Sequence, residues 1–121
     1  MRKNRLIATE EEEHLALIEW LDYFPDIKSY LLHIPNQGIH SLNYRKKLTK
    51  MGLKKGVSDF FLAYPTKTYH GLWIELKRKE KFNISTEQQE WIVKMKSKGY
   101  AAYFAYGWEH ARYLILTYLE S

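Results

Sequence analysis

Apolar and polar positions recur along this chain with two periods, and the changes of period mark its elements. Thr9-Glu10-Glu11-Glu12 has the form of a capping box, and Leu15, Leu17, Ile18 and Leu21 follow at helical spacing. The spacing predicts a helix that ends before Pro25. Tyr30-Leu31-Leu32-His33-Ile34 reads as a strand closed by Pro35-Asn36-Gln37-Gly38, and residues 41 to 51 as a basic helix stopped at Gly52. Two apolar runs then flank the turn-like stretch from Pro65 to Gly71, Phe60-Phe61-Leu62-Ala63-Tyr64 and Leu72-Trp73-Ile74. Aromatic and branched residues around such a turn predict an antiparallel hairpin. Ser85-Thr86-Glu87-Gln88 is a second capping box, opening a helix with Trp91, Ile92 and Met95 inward and Gly99 as its stop. Ala101 to Tyr106 reads as a buried strand, and Trp108 to about Tyr118 as a closing helix. This order predicts an α/β fold, a mixed central sheet flanked by helices. No linker, repeat or low-complexity segment interrupts it, so residues 1–121 are read as a single domain.

Period-2 alternation puts Trp73, Glu75 and Lys77 on one face of the second hairpin strand, and Leu72, Ile74 and Leu76 on the other. With Tyr64 near Leu72, Asp59 falls opposite Lys77 and diagonal to Glu75. Cross-strand neighbours lie about 5 Å apart directly and about 7–8 Å apart diagonally. Two carboxylates so placed can share one hard cation, whose oxygens lie about 2.0–2.1 Å away when it is Mg²⁺. The plain alternative is that the charges only mark where a strand leaves the core. Gly56, just before the strand, suits a tight backbone approach.

Composition narrows the function classes. Nearly half of the 121 residues are apolar and 16% are aromatic, which excludes a disordered chain and suffices for one core. No apolar run nears the roughly 20 residues of a membrane helix. The basic start Met1 to Arg5 is followed by an apolar stretch too short for a secretion signal, which points to an intracellular, cytoplasmic protein without a membrane partner. The chain has no cysteine, so disulfides and thiolate–zinc sites are excluded. The five histidines show no close metal-ligand spacing and read as surface or core residues. The net charge of +5 is unevenly placed. Arg45, Lys46, Lys47, Lys50, Lys54 and Lys55 precede Asp59, and Lys77, Arg78, Lys79 and Lys81 follow Glu75. Lysines around a candidate site can neutralise phosphates, so Lys46, Lys47, Lys54 and Lys55 are candidate nucleic-acid contacts.

Gly56-Val57-Ser58-Asp59, then Trp73-Ile74-Glu75-Leu76-Lys77, then Ser85 to Trp91 together resemble the VRR-NUC (virus-type replication-repair nuclease) family. The resemblance runs from about Glu10 to about Tyr106 and includes Ile34 to Gly38 and Gly52 to Gly56. The family belongs to the restriction-endonuclease-like superfamily, whose signature is Pro-Asp, a gap, then Asp/Glu-x-Lys; Ser58 stands here where Pro is commonest. The resemblance implies a restriction-endonuclease-like core and a catalytic set of Asp59, Glu75 and Lys77. It also implies that a first-helix glutamate reaches the metal. Glu10 is the choice and Glu11 the second, with His14 in the place where the family often has glutamine. Gln88 has two compatible readings, one as the capping residue of its helix and one, from the resemblance, beside the active site.

The resulting expectation is a metal-dependent DNA endonuclease. Glu10, Asp59 and Glu75 would hold Mg²⁺ or Mn²⁺, aided by the Ile74 or Leu76 carbonyl, and Lys77 would orient or deprotonate water. The resemblance to stand-alone members implies a homodimer acting on branched DNA such as a Holliday junction. The alternative is a catalytically silent nucleic-acid-binding subunit with the same fold.

Overall fold

Both capping boxes form, and each starts a helix of the structure, a computed structural model that describes residues 6–35 and 41–121. The turn residues Asn36, Gln37 and Gly38 lie outside the described residues, as do His40 and Met1 to Arg5. Thr9 Oγ1 accepts from the Glu12 N–H at 3.1 Å, while Glu12 Oε1 accepts from the Thr9 N–H at 2.8 Å. Helix α1 then runs over Glu10–Leu21. Pro25 stops it as expected but also begins a one-turn helix, α2 (Pro25–Lys28), because a proline's missing N–H costs nothing in a first turn. There follow β1 (Leu31–His33), α3 (Leu42–Lys50), β2 (Phe60–Leu62), β3 (Leu72–Lys77), α4 (Thr86–Ser97), β4 (Ala101–Tyr106) and α5 (Trp108–Leu119). Among the described residues, no helix is long and apolar enough to cross a membrane.

The four strands form one mixed sheet in the order β1-β2-β3-β4, antiparallel except for the parallel β3–β4 pair. The crossover helix α4 makes that parallel pair possible. Leu72, Ile74 and Leu76 point into a core closed by Leu17 and Leu21 of α1 and Ile115 of α5. Ala101 and Ala105 of β4 and Ala111 of α5 are small and fully buried, so this helix packs closely on the sheet. The opposite face carries Trp73, whose ring lies 4.4 Å from Phe61 and 5.2 Å from Trp91 of α4. The sheet is therefore covered by α1 and α5 on one side and by α4 on the other.

Two sequence expectations are corrected. Leu15 is 55% exposed, whereas Glu13 is buried. The inward stripe of α1 is Glu13, Leu17 and Leu21, an i, i+4 row rotated from the expected one. The hairpin register is also shifted by two residues, because Phe60 pairs with Ile74 and Leu62 with Leu72. Strand β2 ends early: its pairing with β3 stops at the Leu62–Leu72 pair, and the Tyr64 carbonyl accepts from the Tyr118 hydroxyl. The connection is thus longer than the turn residues alone imply. A slip of two preserves which face each side chain occupies, so the alternation still holds.

Candidate metal centre

The register that lengthens the turn brings Asp59 level with Glu75 instead of Lys77, one step beyond the Phe60–Ile74 pair. Asp59 is held from both sides. Its carbonyl accepts from the Ile34 N–H at 2.7 Å, and its Oδ2 accepts from the Leu76 N–H at 2.8 Å. Gly56 lets the chain arrive there. It has φ +84°, and a Cβ on it would lie 2.5 Å from the Glu87 carbonyl group, at the first turn of α4. Any side chain would therefore push the Asp59 approach away from α4.

Glu75 is buried, and its two oxygens have different surroundings. Oε2 accepts from Gln88 Nε2 at 3.1 Å and lies 3.4 Å from Lys77 Nζ. Gln88 also accepts from the Ser85 N–H through Oε1 at 3.0 Å, so one side chain both caps α4 and orients Glu75. Glu75 Oε1 is buried with no hydrogen-bond partner among the described residues. Glu10, at the start of α1, completes the group: one carboxylate oxygen each of Glu10, Asp59 and Glu75 lies within 4.8 Å of the other two. Arg78 anchors the stretch leading into α1, donating to the Ala8 carbonyl at 3.2 Å and the Ile7 carbonyl at 3.4 Å. Glu10 is two residues beyond that anchor.

Burial raises the pKa of Glu75 to about 8, reinforced by Asp59 and opposed by Lys77. Burial likewise raises Asp59 to about 6, opposed mainly by the Leu76 N–H and raised further by Glu10. Three acids around an unpartnered buried oxygen fit a hard divalent cation, which would supply the charge they lack.

Other expected residues are placed as follows. Glu11 lies outside the triad and lines an adjoining cavity of about 370 Å³ with Glu10, His14, Leu15, His33 and Asp59. His14 therefore faces the site's surroundings, its ring 4.6 Å from His33 and 4.9 Å from Phe60. Burial lowers its pKa, and so does His33, against a smaller opposing effect of Glu11. The pairing of the two imidazoles has no signal in linear spacing; it needs β1 beside β2, where His33 pairs with Phe60. Lys46 and Lys47 are exposed on α3. Lys54 and Lys55 sit beside α4, lining a cavity of about 190 Å³ with Glu87, Glu90, Trp91 and Lys94. The second basic run is largely engaged elsewhere: Lys77 with Glu75, Arg78 with backbone carbonyls, and Lys79 with Glu109 at 3.1 Å.

Glu13 went unrecognised as a structural residue. Its Oε1 accepts from the Trp108 N–H at 3.0 Å, capping α5, whose own N-cap residue Gly107 has no side chain to do so. In sequence, an acid in a first helical turn already has sufficient local reason, the helix dipole, so nothing marks this contact 95 residues away.

The sequence matches no protein-family model and no curated protein. A solved structure described as a VRR_NUC domain protein superimposes with a TM-score of 0.80 at 25% sequence identity, covering 94% of this chain and 90% of that one. The chain is a structural homologue of that protein, with an acidic cluster suited to a divalent metal.

Proposed function

We propose that the chain is a metal-dependent endodeoxyribonuclease of the VRR-NUC type, hydrolysing phosphodiester bonds with Mg²⁺ or Mn²⁺ held by Glu10, Asp59 and Glu75. The observation that carries this reading is the buried, unpartnered Glu75 Oε1 beside two further carboxylates, with Lys77 Nζ 3.4 Å from the other Glu75 oxygen. Glu10, Asp59 and Glu75 would hold the cation, which when bound would supply Lewis acidity to a phosphate oxygen and to a nearby water. Lys77 orients that water as an ammonium or takes its proton as a neutral amine, and in either case the resulting cation offsets the charge gathering on the phosphate. As the water oxygen bonds to phosphorus, the bond to the leaving sugar oxygen breaks, and that oxygen takes a proton from solvent. Gln88 keeps Glu75 in its orientation throughout.

The basic residues Lys46, Lys47, Lys54 and Lys55 would neutralise backbone phosphates on the approach to Asp59. The substrate is read as branched DNA cut by a homodimer, as the resemblance implies, and the compartment as the inside of the cell, as the short apolar stretch after Arg5 suggests. Linear, flapped, four-way and supercoiled DNAs incubated with Mg²⁺, Mn²⁺ or a chelator test the proposal. Cleavage should require the metal. Asp59→Asn, Glu75→Gln and Lys77→Ala should each lower the rate by about 10²–10³ or more while DNA binding is retained. A folded variant cutting at the wild-type rate would remove that residue from the catalytic set. A wild type that binds all four DNAs and cuts none would instead establish the silent subunit.

A further inference from the structure

Past Lys77 the sheet ends beside aromatic rings that the cleavage chemistry does not use. Tyr106 is the parallel-ladder partner of Lys77, so both side chains leave the same face on neighbouring strands. Phe82, from the loop between β3 and α4, lies against Tyr106 with ring centroids 4.9 Å apart. His110 of α5 stacks on Tyr106 at 5.9 Å and 12° between planes, held by a 3.0 Å hydrogen bond from the Tyr106 N–H to Nδ1. Despite this mutual packing, Phe82 is 38% and Tyr106 36% exposed.

The backbone is bent to produce this arrangement. Lys81, the residue before Phe82, has φ 57°, and it is the one non-glycine residue with positive φ among those described. A side chain disfavours that conformation, and such departures gather where a ligand is met. The Lys81 side chain is itself exposed, which leaves a positive charge next to the rings.

We infer that Phe82 and Tyr106, backed by His110, are a stacking ledge for an unpaired base of the nucleic-acid strand whose phosphate reaches the acidic triad. The inference rests on the nuclease reading for its ligand. Three features favour a base as the occupant: the ledge is one strand from Lys77, its rings are half-exposed, and a lysine stands beside them. Every base has a π-face, so such a ledge reads unpairing and not sequence. It gives the fold a means of preferring DNA with a single-stranded portion.

The test compares two oligonucleotides of equal length and charge, one of thymidines and one with abasic sites, bound to the full chain without metal. The wild type should bind the base-bearing strand about fivefold tighter or more. Phe82→Ala and Tyr106→Ala should bring that ratio towards one, Phe82→Tyr should keep it, and Phe82→Leu should lose it although the contact stays apolar. A wild-type ratio of one, or a Phe82→Leu ratio equal to the wild type's, overturns the ledge. Cleavage of duplex DNA at a wild-type ratio of one would sink the ledge and spare the nuclease. A preserved ratio in a protein that never cuts would do the reverse.

Discussion

Glu75 is asked to be buried, acidic and only half satisfied, and that combination has measurable consequences. Its carboxyl is raised to about 8 and that of Asp59 to about 6, in both cases chiefly by burial. Below about pH 4, where carboxyls in the unfolded chain are also protonated, their contribution to stability is fully present. It is lost as pH rises through the two folded values, because the unfolded chain gives up those protons more readily. In the metal-free protein, the melting temperature of the wild type should therefore fall relative to Glu75→Gln between about pH 5 and about pH 9. Saturating Mg²⁺ should reduce that difference; equal pH profiles for the two proteins would show that the acid cluster carries no such cost. The neighbouring choice is equally direct. Glu10→Gln should impair cleavage far more than Glu11→Gln, since Glu10 joins the triad and Glu11 only lines the cavity beside it. The opposite order would move the ligand by one residue.

Among the elements, the regular ones were legible because local rules decide them. Both capping boxes, the ends of α3 and α4 and the alternation along β3 follow from short-range chemistry that tertiary contacts do not oppose. The hairpin register is not legible locally, because pairing with β3 stops at the Leu62–Leu72 pair and the Tyr64 carbonyl is taken by Tyr118, a residue remote in sequence. The inward row of α1 was misread because a carboxylate in a core is sensible only once the N-terminus of α5 stands against it. At the candidate site, the proximity of Asp59, Glu75 and Lys77 is legible in the motif, and the cap made by Gln88 in its spacing from Ser85. The pairing of His14 with His33 was not. Helix α3 has no buried residue and carries Lys46 and Lys47 on its exposed surface. Neutralising these two with Lys54 and Lys55 should weaken DNA binding irrespective of sequence and flatten its salt dependence. An unchanged slope of affinity against salt would place the DNA on another surface.

At the scale of the whole molecule, the three acids come from the first helix, the loop before β2 and the strand β3, so the cluster exists only in the assembled fold. On the nuclease reading, one such cluster would serve one strand of DNA, and symmetric cutting of two strands is most simply met by a twofold pair. A solution mass of two chains, with four-way junctions cut in preference to linear duplex, is the expected outcome; a monomer cutting both alike would leave a general nuclease. The contact between Glu13 and Trp108 adds a matter of timing. Of the described elements α1 is made first and α5 last, yet the two pack together and Glu13 caps the latecomer. Without α5, α1 keeps the Arg78 anchor but loses the helix packed beside it, so the seat of Glu10 above Asp59 and Glu75 is loosened. A chain ended after Gly107 should neither gain thermal stability from Mg²⁺ nor cut DNA, and metal-dependent stabilisation of that fragment would contradict the dependence. On the nuclease reading, a chain interrupted before α5 would carry all three acids and yet be inactive.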